Sequence, residues 1–457
     1  MRDPGNDSLL RRLGAGAASA TELEEATGQS QASVARRLRS LIAQHLVIRM
    51  GVTRGARYAL LRPVEGIGAH WPLRRIGADG SIEELGTLFA LAAGEFHFEA
   101  RPPFAWGGLS TGLPYFLQDQ RPAGFLGRAV PQRFPELGLP QRVMDWNDDH
   151  YLRYLTQRGT DTVGDLILGD VALDGLLAQQ QRRDSVAIGD RSETYPRLAR
   201  DVLAGHLPGS SAHGEHPKFV TMLEGHAAPR PVIVKFSPPA ATAVGQRWSD
   251  LLVAEHLAHQ VLHEAGIAAV QSRIEQFDDQ TFLEMDRFDR VGHEGRMGIT
   301  SLLAIDTQLY GKLDNWIAAC GRLLGDGRID ATSFDNARLA ATFGALIANP
   351  DRHFGNLAFH DRYDGRFVLS PIYDMLPMLF APEHDQVLPR EFVPPHPTAD
   401  TLGAYAQARA LAEAYWKRCA ADKRISEGFR ALCASCGGML YALPRTGAFG
   451  SGVVKSR

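Results

Sequence analysis

Cysteine is scarce: Cys320, Cys419, Cys433 and Cys436 are the four among 457 residues. So few cannot supply a disulfide framework for a chain of this length, and a reducing, cytoplasmic setting is expected. Long hydrophobic runs are missing too. No stretch of ~18 uninterrupted apolar residues occurs, which argues against a membrane-spanning helix. The N-terminal stretch "MRDPGNDSLLRRLGAGAASATELEE" has no continuous apolar core of the kind a secretory signal needs. Internal repeats, long low-complexity tracts, a His-Glu-x-x-His zinc motif and a G-x-G-x-x-G loop are likewise absent from the sequence. What is left is globular composition, 44% apolar and 22% charged, on a chain long enough for two or three domains.

Charge of one sign is short at one end. Net charge is −3, yet residues 1–62 hold ten Arg against five Asp or Glu, so that end carries +5 and the remainder −8. A basic end on an acidic body predicts an anionic partner for that end alone. "DSLLRRL", "TELEEATG" and "QSQASVARRLRSLIAQHL" read as three short helices. Ser30 is placed to cap the third, whose Val34, Leu38, Leu41 and Ile42 form one apolar stripe. Gly28 sits where a tight inter-helix turn needs it. "LVIRMGVTRGARYALL" then reads as two strands around a turn, like the wing of a winged helix-turn-helix. On that reading Gln31, Ser33, Arg36 and Arg37 meet DNA from the third helix, and Arg54 and Arg57 reach phosphates from the wing. One copy binds weakly, so specific binding implies a homodimer on two half-sites. The plainer alternative is a basic helical bundle docked on the rest of the chain.

Past Pro63 the pattern becomes mixed α and β. "SIEELGTLFALAAGEFHFEA" reads as short strands, and residues 147–157 and 163–179 read as helical. "PVIVKF" (231–236) is an apolar strand interrupted by Lys235. A helix is expected over 249–265 with Glu255 in its first half, then a strand over 281–285, and largely helix from about 300. A lone strand lysine ordinarily lays its stem on apolar surface and reaches water. His256, His259 and His263 share a helix face that reads as solvated. Cys433 and Cys436 lack a second pair with which to bind metal.

"LIANPDRHFGNLAF" changes the weight of those residues. Asp351 and Asn356 stand at the Asp-x-x-x-x-Asn spacing of a protein-kinase catalytic loop, after an apolar helix and before a short strand. A hairpin, "NLAF" to "FVLSPIY", then leads to Asp374. Strand lysine, helix glutamate, catalytic loop and later aspartate occur in kinase order. Asn356 and Asp374 supply oxygen ligands for Mg²⁺, which takes few from protein. Other readings of the same residues are a metal-dependent nuclease toxin built on Asp351, His353 and Asp374, and a DNA-binding regulator whose kinase-like body senses a ligand without catalysis.

"NPDRHFGN", "LSPIYDM", "MDRFDR" (285–290) and "LPGSSAHGEHPKF" (207–219) resemble the catalytic loop, metal-binding segment, hinge and phosphate loop of the HipA family of bacterial serine/threonine kinases. A winged helix ahead of such a kinase is similar to the YjjJ-type branch. The resemblance implies an α+β, bilobal kinase-like fold preceded by a winged helix-turn-helix. It divides the chain into 1–62, then 63–286 with the kinase N-lobe, then 287–457 as the helical C-lobe. It further implies ATP and Mg²⁺ as cofactors and a protein serine or threonine as acceptor. Asp351 would be the base, Asn356 and Asp374 the metal ligands, and Lys235, steadied by Glu255, the phosphate-binding cation. Glu284, Met285 and Asp286 would present backbone groups to adenine, and Ser210 or Ser211 would be autophosphorylated. An antitoxin partner is a further expectation. His213 and His216 stand where this branch has Gly and Gln, and Met375 follows Asp374 where ordinary kinases have glycine.

Overall fold

Apolar spacing in the first sixty residues yields three helices, Pro4–Gly14, Ala20–Thr27 and Gln31–Ala43. The computed structural model describes residues 4–51, 55–102, 104, 106–182, 184–204, 216–225 and 228–443. Ser19 and Glu22 form a reciprocal capping box on the second helix, and Ser30 accepts from Ser33 N on the third. These caps satisfy amide donors that a helix start leaves open. Gly28 closes the second helix at φ 65°, a conformation in which a Cβ is disfavoured. Leu9, Leu13, Leu23, Val34, Leu38 and Leu41 fill the small core between the helices. Strands Val47–Met50 and Arg57–Leu60 pair antiparallel, and a two-residue strand, Ala18–Ser19, joins the far side of Arg57–Leu60. Arg62 ties this unit to the body by a bidentate pair with Asp149 at 2.6 and 2.8 Å.

The middle of the chain builds a five-stranded antiparallel sheet in the order Gly108–Thr111, Glu95–Ala100, Ile82–Ala90, His70–Ile76, Leu166–Leu168. The last strand lies inside 163–179, which the sequence pattern assigns to helix. The helix in fact starts at Asp170 and runs to Arg182. Leu166, Ile167 and Leu168 are all buried, and so short an apolar run carries no period by which strand and helix differ. The neighbouring helix, Asp148–Arg158, lies where it is expected.

A second five-stranded sheet follows, in the order Ser272–Phe277, Gln280–Asp286, Arg230–Phe236, Lys218–Glu224, Val186–Ala187. Every pair is antiparallel except the last. Along Arg230–Phe236, Val232, Val234 and Phe236 enter a core with Phe219 and Phe282. Strand alternation therefore turns Ile233 and Lys235 to the opposite face, where a cavity lies.

The helix Ala243–Glu264 packs between this sheet and the helical lobe, which includes Trp316–Gly325, Ala331–Leu346, Leu402–Ala421 and Glu427–Ala442. Residues 249–259 of it are buried without a break, so no face is left for water. The expected solvated histidine face is thereby corrected. His256 and His259 are 7% and 1% exposed, and each places Nδ1 on Ser272 Oγ, at 3.0 and 3.1 Å. Burial pulls their pKa values down to about 4 and about 3, keeping both rings neutral. The four cysteines are free and buried. Among the described residues no helix is long and apolar enough to cross a membrane.

Candidate active site

Lys235 projects from the central strand of the second sheet into a region with no water of its own, being 5% exposed. An isolated ammonium there would be untenable, and it is held by carboxylates on two sides. Nζ donates to Glu255 Oε1 and Oε2 at 2.7 and 2.8 Å, and to Asp374 Oδ1 at 2.6 Å. Burial opposes the charge, but Asp374 and Glu255 outweigh it and hold the lysine pKa above its ordinary value. Burial also works against Asp374, yet Lys235 and then Lys218 bring its carboxyl down to about 2. Glu255 comes from the long helix and Asp374 lies 139 residues from Lys235, so three separate segments meet here.

The loop 349–356 is organised largely by bonds of its own, with one from Trp316. Asn349 Oδ1 accepts from Asp351 N at 3.0 Å, and Asn356 Nδ2 donates to Asp351 O at 2.9 Å. His353 Nδ1 accepts from Gly355 N at 3.0 Å, while Trp316 Nε1 donates to His353 O at 3.0 Å. Arg352 folds back to donate to Asn349 O. Asn349 Nδ2 reaches Asp374 O at 3.3 Å, and Tyr373 OH donates to Gly355 O at 2.7 Å, which joins the loop to the later aspartate. Asp374 has φ 50°, a left-handed conformation costing roughly 1–3 kcal/mol outside glycine. The ion pair and the Asn349 contact are what hold it there.

Lys235, Met285, Asp286, Asn356 and Asp374 line one cavity of about 130 Å³. Asp351 is not among the residues that line it; its side chain is 46% exposed, 3.8 Å from His353 Nε2. Glu255 is behind Lys235 and does not line the cavity. Neither does Glu284. Its fully buried carboxylate points to the far side of the sheet, onto Arg191 at 3.1 Å, Arg230 at 2.5 Å and Tyr195 OH at 2.9 Å. Glu284 lies in register with Val234 on one neighbouring strand and Arg273 on the other. Ser210, Ser211, His213 and Arg54 lie outside the described residues. His216 tilts over Trp248 at 4.5 Å, and its pKa is lowered to about 3 by burial and then by Lys235 and Lys218. It therefore brings no charge to the cavity.

Sequence reasoning missed two cavity residues. Lys218 is 3% exposed and lies in register with Lys235 on the adjacent strand. A second lysine heading an apolar strand, "KFVTML", was the available signal. Asp119 arrives from the middle region and accepts from Ser301 N and Oγ, both at 2.6 Å. Nothing local in "FLQDQ" announces it.

The donor chemistry suits magnesium. Asn356 commits its amide nitrogen to Asp351 O, which leaves Oδ1, and Asp374 commits Oδ1 to Lys235, which leaves Oδ2. Two hard oxygens, with phosphate and water completing the shell, is the usual protein share of a Mg²⁺ site. On the N-terminal unit, Gln31 and Arg36 are exposed and Ser33 is half-buried. Arg37 turns back to donate to Asn6 Oδ1 at 3.1 Å, and Arg57 donates to Ala17 O at 2.5 Å.

Residues 67–177 match the middle domain of YjjJ-like toxins, and residues 210–436 match the HipA-like C-terminal domain. Toxin YjjJ of Escherichia coli (strain K12) is 35% identical over 426 residues, 91% of this chain and 93% of that protein. Among solved structures, HipA of Shewanella oneidensis MR-1, determined with HipB and its operator DNA, aligns at TM-score 0.51 and 15% identity. That alignment covers 81% of this chain and 96% of that one.

Proposed function

The chain belongs to the HipA family of toxins, in its YjjJ-like branch, and from that premise we propose that it is an ATP- and magnesium-dependent serine/threonine protein kinase. The observation that carries the reading is one ammonium, Lys235, bonded at once to Glu255 and Asp374 on the wall of a cavity that Asn356 also lines. Lys235, oriented by Glu255, binds the nucleotide phosphates. Asp351 orients the acceptor hydroxyl and takes its proton as the hydroxyl oxygen bonds to the γ-phosphorus and the bond to the ADP oxygen breaks. Asn356 and Asp374 are the residues that would hold magnesium, which would supply neutralisation of phosphate charge there. Met285 and Asp286 border the base side of the same cavity. Ser210 or Ser211 is the autophosphorylation site, since a doubly charged group there repels ATP phosphates.

Residues 1–62 form the DNA-binding module, ahead of 63–286 with the N-lobe and 287–457 as the C-lobe. Support for the module comes from three helices, a two-stranded wing and exposed Arg36, and from a structural relative solved with operator DNA and HipB. An antitoxin and a homodimer are the partners this reading carries. Loss of an operator-fragment mobility shift in Arg36→Ala tests the module, and an unchanged shift removes that residue from it. For the kinase, Asp351→Ala abolishes transfer of radiolabelled γ-phosphate while calorimetric ATP binding stays within about threefold. Undiminished transfer would dismiss the assignment of Asp351.

A further inference from the structure

A second and larger cavity, of about 630 Å³, lies on the other side of the hinge, between the middle region and the outer strands of the second sheet. Its size falls in the range of small-molecule sites, roughly 300–1,000 Å³. Its floor is a buried ion cluster. Arg287 Nη1 and Arg290 Nη2 each meet Asp161 at 2.8 Å, and Asp289 takes Arg287 at 2.9 Å and Arg290 at 2.7 Å. Two arginines and two aspartates balance there. Arg296 is a third arginine added to that balance.

Arg296 is 5% exposed, donates Nη2 to Thr160 O at 2.6 Å, and leaves Nη1 buried with no hydrogen-bond partner. Burial, and then the neighbouring Arg290, pull its pKa down to about 9, the sign of a cation short of counter-charge. Arg133 borders the same cavity. It is half-buried, sits 4.7 Å over the Phe134 ring, and makes no ion pair with any described acid. Two guanidinium groups thus face one cavity without a paired carboxylate. The remaining lining acids, Asp184, Asp190 and Glu294, are exposed and stand at the mouth, where water already solvates them.

We propose that this cavity binds a small phosphate-bearing molecule, seated between Arg296 and Arg133. A phosphate carries close to two negative charges near neutral pH and presents oxygens at the spacing of a guanidinium fork. It would offset the charge of both Arg296 and Arg133, which a single carboxylate does not. The site is separate from the one assigned to ATP and stands whether or not that assignment does. Arg287 lines both cavities, so the bound anion would lie one side chain from the hinge.

The test is isothermal titration of the full-length protein with sodium pyrophosphate in magnesium-free buffer. Saturable binding is expected, weakened about tenfold or more by Arg133→Gln and lost in Arg296→Met. Lys235→Met, which would remove any binding in the other cavity, should leave the Arg133-dependent binding in place. Arg133 holds no part of the buried cluster, so Arg133→Gln decides the matter even where Arg296→Met folds poorly. Absence of saturable binding to the wild type, binding indifferent to Arg133→Gln, or binding abolished by Lys235→Met would each overturn the proposal.

Discussion

Glu255 and Glu284 make an instructive pair. Both side chains are fully buried, Glu255 on the cavity side of the sheet behind Lys235 and Glu284 on the opposite side. Glu255 meets one cation, and that cation also binds Asp374, whose side chain is 23% exposed into the cavity. Glu284 is closed in by Arg191, Arg230, Tyr195 and, at 3.5 Å, Arg273, with nothing of it facing the cavity. One cluster ends in an oxygen left over, and the other in none. Buried charge alone therefore says little about function. What distinguishes the two is whether the network is saturated by its own members or ends in a group aimed at open space.

The widest separation should come from removing one charge on each side. Asp374→Asn keeps the shape of the cleft cluster and an oxygen for Lys235, but loses the metal-binding charge. Phosphoryl transfer should fall by about 10³ or more, some 4 kcal/mol in the barrier. Urea unfolding should shift by no more than about 1 kcal/mol, because Lys235 keeps Glu255. Glu284→Gln should do the reverse. It strands arginines around a neutral amide and should cost about 3 kcal/mol of stability, while the transfer rate per folded molecule stays near that of the wild type. If Glu284→Gln instead removes transfer in a protein that unfolds normally, the two clusters are not separable and the contrast fails.

That contrast also marks what could be read in advance. Lys235, Glu255, Asp351, Asn356 and Asp374 stand out because each sits at a fixed offset within a strand, helix or loop whose period shows in the sequence, and the structure brings Lys235 onto Glu255 and Asp374. The fold class followed from the same order of elements. The resemblance groups Glu284 with the cleft through its backbone, and the sequence does not show where its side chain goes. Strand alternation assigns residues to two faces but does not say which face a cavity occupies, and Arg191 and Tyr195, its partners, are some ninety residues away. His256 and His259 were misread for a related reason. Helical periodicity presumes one wet face, and a helix sandwiched between sheet and lobe has none. Leu166–Leu168 was too short to show any period.

A third arrangement sharpens the comparison by removing cations altogether. Asp165 and Asp361 are buried at the junction of the middle region with the helical lobe, and neither forms an ion pair with a described residue. Tyr363 OH donates to Asp165 Oδ1 at 2.5 Å, while Asp361 accepts from Thr300 Oγ1 at 3.0 Å and Tyr115 OH at 3.2 Å. These hydroxyls, with Tyr363 N donating to Asp361 Oδ1 at 2.6 Å, do not offset the desolvation. Burial raises Asp165 to about 6 and Asp361 to about 7, with Asp165 adding to the latter. A carboxyl raised in the folded state binds its proton more tightly there than in the unfolded chain. Its stabilising contribution is full below about pH 4 and lost as pH rises through about 7. The cleft aspartate runs oppositely: Asp374, held near 2, contributes above its unfolded value and loses that only in strong acid. Replacing Asp361 with Asn should flatten the stability profile between about pH 4 and about pH 7, removing up to about 1.4 kcal/mol per pH unit. Urea midpoints measured across that window check it. A slope identical to the wild type would mean that Asp361 ionises as readily folded as unfolded, and that neutral donors can do at this junction what Lys235 does in the cleft.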